Sequence, residues 1–185
     1  MENLGAARNE LLSSTDPFVQ SLARKAILQT SVHDFDGVEW PFQTERPTEL
    51  GVFRVLPTVS DLDWSTVSEG LRLEKGQVYL DYHMPRSDGL TNQIANEGYR
   101  SIAEYMESRP EISHIVGVTY RAMALSAKSN QGFEMEQLEL PDAVMNFASA
   151  FWQNMMPDAN PRHFKAAYAV WHTRDSFIER FTTRD

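Results

Sequence analysis

The sequence predicts an α/β fold with a mixed central sheet flanked by helices, and three observations predict it. Segments rich in β-branched and aromatic residues recur at Gly51–Val59, Gln77–Met84 and Ile112–Thr119, the composition that strands favour. Between the last two lies a long segment, Leu90–Ser108, with Leu90, Ile94, Gly98, Ile102 and Tyr105/Met106 on one helical stripe. Beyond a first helix the segments alternate as β-β-β-α-β-α-β-α-β, the pattern of a mixed sheet in an α/β protein.

Each element has its own local reason. Ser13-Ser14-Thr15-Asp16-Pro17 reads as a helix start, with Asp16 as N-cap and Pro17 at the first helical position. Phe18, Leu22 and Ala26, flanked by Val19, Ala23 and Ile27, then supply one apolar face. Asp34–Glu49 carries Gly37, Pro41 and Pro47 among charged residues and is expected to be loop. Gly51–Val59 is a strand, Asp61–Trp64 a turn, and Thr66–Glu74 a second strand closed by Lys75-Gly76. Gln77–Met84 is the strongest strand in the chain, and Pro85–Gly89 interrupts it before the long helix. Arg109-Pro110 ends that helix, since the residue before a proline is pushed out of the helical region. Ile112–Thr119 is a strand and Tyr120–Asn130 a helix, with Gly132 placed to leave it in a left-handed conformation. Phe133–Leu140 alternates as an edge strand does; a helix near Ala143–Asn154 and a strand near Ala166–Thr173 follow. Residues 1–50 form an N-terminal helix and loop, part of or appended to the main domain at 51–185.

Composition narrows the function classes. A formal net charge of −9 and the lack of a Lys/Arg cluster argue against nucleic acid or an anionic membrane surface as partner. No run of about 18 apolar residues exists, so no membrane span is expected. The absence of cysteine removes disulfides, thiolate metal sites and cysteine nucleophiles. Met1-Glu2-Asn3-Leu4 lacks the basic-then-apolar order of a secretory signal, so a cytoplasmic protein is expected. His33-Asp34-Phe35-Asp36 matches no ligand spacing of defined geometry, and no metal is expected. Without a Gly-x-Ser-x-Gly elbow the chain gives no support to an α/β-hydrolase.

The turn between the strongest strand and the long helix carries the chemistry. It reads Arg86-Ser87-Asp88-Gly89-Leu90-Thr91. A helix N-terminus offers unpaired N–H groups and the positive end of the helix dipole to a pyrophosphate. Gly89 lets the backbone approach a phosphate, Arg86 adds charge and Thr91 a hydroxyl. This turn resembles the [Gln/Arg]-x-x-Gly-x-[Gly/Ala] motif of the GNAT acyltransferase superfamily, with Arg86 and Gly89 matching and Thr91 standing where Gly or Ala is usual. The order of elements over Gln77–Leu140 is similar too, including Asn130-Gln131-Gly132-Phe133 before the next strand. In place of the tyrosine that many members carry four residues before that glycine stands Lys128.

The resemblance implies a mostly antiparallel GNAT-like sheet and acetyl-CoA or another acyl-CoA as cosubstrate. It implies cofactor contacts from Tyr82, Met84, Arg86, Ser87, Asp88, Gly89, Leu90 and Thr91, with the strand backbone pairing with the pantetheine arm. The implied reaction is N-acyl transfer, most simply of acetyl, to a small-molecule amine or a protein amino group. Such a reaction needs a base for the amine. Asp81 and His83, which share one face of the strand with Tyr79, are the candidates, with Glu74 a third. Phe147, Phe151 and Trp152 with Met145, Met155 and Met156 can line a substrate pocket, pack in the core or form a homodimer interface. Trp171-His172 is read as packing. The alternative function is a GNAT-like domain without catalysis that binds CoA or a protein partner as a sensor.

Overall fold

The computed structural model describes residues 11–30, 44–84 and 91–183, with backbone alone at 28–30. The helix α1 (Pro17–Thr30) starts where the capping signal places it. Asp16 Oδ1 accepts hydrogen bonds from Phe18 N at 2.8 Å and Val19 N at 3.2 Å, satisfying two N–H groups that a helix start leaves open.

The strands are β1 (Thr48–Leu50), β2 (Phe53–Val59), β3 (Trp64–Ser65), β4 (Arg72–Leu73), β5 (Val78–His83), β6 (Ile112–Tyr120), β7 (Glu134–Gln137) and β8 (Ala167–Thr173). Six of them form one mixed sheet in the order β1-β2-β5-β6-β8-β7, while β3 and β4 form a separate two-stranded ribbon. Four of the five pairings in the large sheet are antiparallel, and β5–β6 is parallel. A parallel pair needs a long crossover, and the helix α2 (Asn92–Glu107) lies between these strands in the chain. The later helices are α3 (Arg121–Gln131), α4 (Asp142–Met155) and α5 (Arg174–Thr182), with a short 3-10 turn at Pro161–Phe164. Gly132 ends α3 with φ 73°, the left-handed conformation expected of it.

Alternation along β5 sends side chains into two cores. Tyr79 faces a core shared with Phe18 and Leu22 of α1 and Val144, Ala148 and Trp152 of α4. Leu80 and Tyr82 face the other, with Tyr99, Ile102 and Met106 of α2, Ala124 and Ala127 of α3, and Phe177 of α5. Helices therefore cover both faces of the sheet, and β5 is buried nearly throughout.

Three details differ from expectation. Thr66–Glu74 is not one strand: the chain reverses between Thr66 and Leu71, joined by Thr66 N to Leu71 O at 2.9 Å, and Glu69 takes φ 57°. Only Arg72–Leu73 pairs, with Trp64–Ser65, so Trp64 belongs to a strand and not to the preceding turn. The helix α5 was not foreseen, although Phe177 and Phe181 stand four apart, one turn of a helix. The short edge strand β1 within the expected loop was also missed.

Candidate active site

The parallel pair at the centre of the sheet does not run to its end. Pairing of β5 with β6 extends from Val78↔Ile112 to Asp81↔Val116. Beyond that point β5 continues on β2 as far as Arg54↔His83, and β6 on β8 as far as Tyr120↔Ala167. The two strands thus separate, and among the described residues no strand pairing joins Tyr82–Met84 to Gly117–Thr119 across the gap. A cavity of about 440 Å³ occupies this gap and is lined by those residues. Gly117 makes the arrangement possible, since a Cβ there would meet the Tyr82 ring at 2.6 Å.

The lining is mixed in character. It includes Thr91 and Asn92, where α2 begins. The Thr91 hydroxyl caps that helix by accepting from Ile94 N at 3.2 Å. Tyr120, Met123, Phe151, Trp152, Met155 and Met156 supply an apolar part of the wall. There the Tyr120 hydroxyl donates to Met156 Sδ at 3.2 Å. Lys25 and His83 line the same cavity, as do Thr119, Ser126 and Gln131.

His83 and Lys25 are both buried, at 4% and 6% exposure. Burial, reinforced by the charges of Lys25 and Arg54, lowers the His83 pKa to about 3. Near neutral pH its imidazole is therefore uncharged. Burial likewise lowers the Lys25 pKa to about 8, with Asp81 opposing and Arg24 adding to the effect. Lys25 Nζ donates to the carbonyl of Val118 at 2.7 Å, on the stretch of β6 that lies past its last β5 partner.

The predicted residues divide into three groups. Tyr82, His83, Met84 and Thr91 line the cavity. Asp81 does not. Its carboxylate accepts Arg24 Nε at 2.8 Å and the Ser21 hydroxyl at 3.0 Å, both from α1. Arg86, Ser87, Asp88, Gly89 and Leu90 lie outside the described residues, as does His33-Asp34-Phe35-Asp36. Glu74 is exposed in the turn before β5, away from the cavity wall. Lys128 is also exposed, whereas Met123, Ser126, Ala127 and Gln131 of the same helix reach the cavity.

Of the aromatic and methionine residues of α4, Trp152 joins the core and Phe151 lines the cavity with Met155, while Phe147 stacks on Phe151. Trp171 and His172 are buried; His172 contacts the Gln131 carbonyl at 3.2 Å and the Ser176 hydroxyl at 3.2 Å. Lys25 was missed, yet its signal was present: it stands seven residues after Phe18 and three after Leu22, on the apolar face of α1. Among the described residues no group of three or more His, Cys, Asp or Glu could hold a metal ion, and no helix is long and apolar enough to cross a membrane. No family model, curated protein or solved structure matches this chain.

Proposed function

We propose that this protein is a GNAT-like, acyl-CoA-dependent N-acyltransferase, moving an acyl group, most simply acetyl, from a CoA thioester to an amine. The observation that carries this reading is the parting of β5 and β6 beyond Asp81 and Val116, with a cavity in the gap. Where two strands diverge, backbone N–H and C=O groups that no longer pair with each other must find other hydrogen-bond partners. A pantetheine arm, with its two amides, is a chain of the right chemistry to supply them. Placed along β5, it would run from the start of α2 toward the apolar wall. Residues 86–91 precede α2 in the chain, so the pyrophosphate would sit at that helix N-terminus. The thioester would then lie near His83 and Lys25, where strand N–H groups can polarise its carbonyl.

Within this reading His83 is a neutral hydrogen-bonding group, because a group with a pKa of about 3 is a weak base at neutral pH. Asp81 holds α1 against the sheet and leaves the base role to another group or to water.

Calorimetric titration with acetyl-CoA and with longer acyl-CoA thioesters tests the reading directly, followed by thiol release over a panel of amines. Saturable binding with turnover on an amine supports it. Binding without turnover on any amine would favour the sensor function instead, and no binding of any acyl-CoA would remove both.

A further inference from the structure

We infer that Lys25 is the proton donor that meets the departing thiolate at the gap between β5 and β6, an inference that rests on the acyltransfer reading above. Lys25 comes from α1, outside the Gln77–Leu140 segment that resembles the acyltransferases. Its ammonium reaches the carbonyl of Val118, on the stretch of β6 past its last β5 partner, and also lines the cavity. An ammonium has three donors, and the Val118 carbonyl uses one of them. The others are available to a guest in the gap. A buried cation with a cavity beside it attracts the atom on which negative charge develops, because the low dielectric strengthens their interaction.

The charged and titratable groups around it are few. Among the described residues, Arg24 lies beside it on α1, with Tyr79 of β5 against that guanidinium; Asp81 and His83 of β5 interact with it, with Arg54 of β2 beyond His83. The Tyr120 hydroxyl of β6, also on the cavity wall, donates to Met156 Sδ. Asp81 is bound to Arg24 and Ser21, and His83 is neutral near pH 7. A lysine whose pKa is about 8 is ammonium at neutral pH yet releases its proton far more readily than an exposed lysine.

The step balances without a further reactant. The amine nitrogen attacks the thioester carbonyl carbon and a C–N bond forms. The C–S bond then breaks with its electron pair on sulfur, and Lys25 Nζ passes a proton to the sulfur to give CoA thiol. The proton shed by the acylated nitrogen restores the ammonium.

The test needs no knowledge of the acceptor. Free CoA saturates wild type and Lys25→Met, and the thiolate absorbance of the bound CoA is followed against pH. In wild type the adjacent ammonium should lower the thiol pKa by about one unit or more, raising the thiolate fraction below that pKa about tenfold. In Lys25→Met the bound thiol should titrate about one unit or more above wild type. Lys25→Gln gives a second variant, and circular dichroism establishes that each is folded. Matching titration curves for wild type and a folded, CoA-saturated variant would overturn the assignment of Lys25 and leave the acyltransfer reading standing. A wild type that binds no CoA would overturn both.

Discussion

The carboxylate of Asp81 and the guanidinium of Arg24 meet at 2.8 Å with both side chains almost wholly removed from solvent. The pair fastens α1 to β5, and Arg24 also donates to the Tyr79 hydroxyl at 3.3 Å. Breaking one partner of such a pair strands the other as an uncompensated buried charge. Asp81→Ala is therefore expected to lower stability by about 3–5 kcal/mol. Asp81→Leu with Arg24→Leu should cost much less, because neither charge remains. Urea denaturation of the single and double variants measures the difference. A folded Asp81→Asn protein should still bind acyl-CoA, since Asp81 does not line the cavity.

Acid should weaken the fold through His83. Its folded pKa of about 3 lies below the ordinary value of 6.5, so between these limits the unfolded chain binds more protons. Stability accordingly falls as pH drops from about 6.5, by up to roughly 1.4 kcal/mol per pH unit for this one group. His114 and His172 shift in the same direction through burial, so they add to the slope. Between pH 6.5 and 5, His83→Gln should show a shallower loss of stability than wild type in chemical denaturation. An unchanged slope would mean that His83 is not buried in its neutral form.

Gly117→Ala is expected to affect both fold and site. The new Cβ would meet the Tyr82 ring at 2.6 Å, and the ring also packs on Phe53, Tyr99 and Phe133. Overpacking of this kind costs about 1–3 kcal/mol. A displaced ring would also narrow the gap between the strands, so acyl-CoA affinity should fall together with thermal stability. Combining the change with Tyr82→Leu should recover part of both.

Thr91→Ala removes the hydroxyl that caps α2 and should cost about 1 kcal/mol, whereas Thr91→Ser should cost little. Thermal denaturation distinguishes the two. The same comparison bears on Thr91 standing where the resembled motif has Gly or Ala, because it identifies a capping role for the side chain.

Much of the fold was legible because it rests on local rules. Asp16 before Pro17, Gly132 after α3, and the alternation along β5 each follow from chemistry within a few residues. The ribbon at β3–β4 was not legible, since Thr66–Glu74 has the composition of a strand while Glu69 and Gly70 turn it back. The site was legible along one strand only. Tyr82, His83, Met84 and Thr91 were found because they are neighbours in sequence; Lys25 and Tyr120 join them through tertiary packing. Asp81 and His83 looked equivalent at two-residue spacing, and a helix partner distinguished them: Arg24 claims one while the cavity borders the other.

The position of β8 has a consequence for how the protein is made. In the sheet β8 separates β6 from β7, yet it follows both in the chain. A nascent chain that has emerged from the ribosome only as far as β7 therefore exposes one edge of β6, and β7 has no strand to join. Such an edge is a template for pairing with other chains until β8 arrives to fill it. Closure of the sheet is thus a late event in synthesis, and translational pausing before residue 167 would lengthen the interval in which this protein is prone to aggregate.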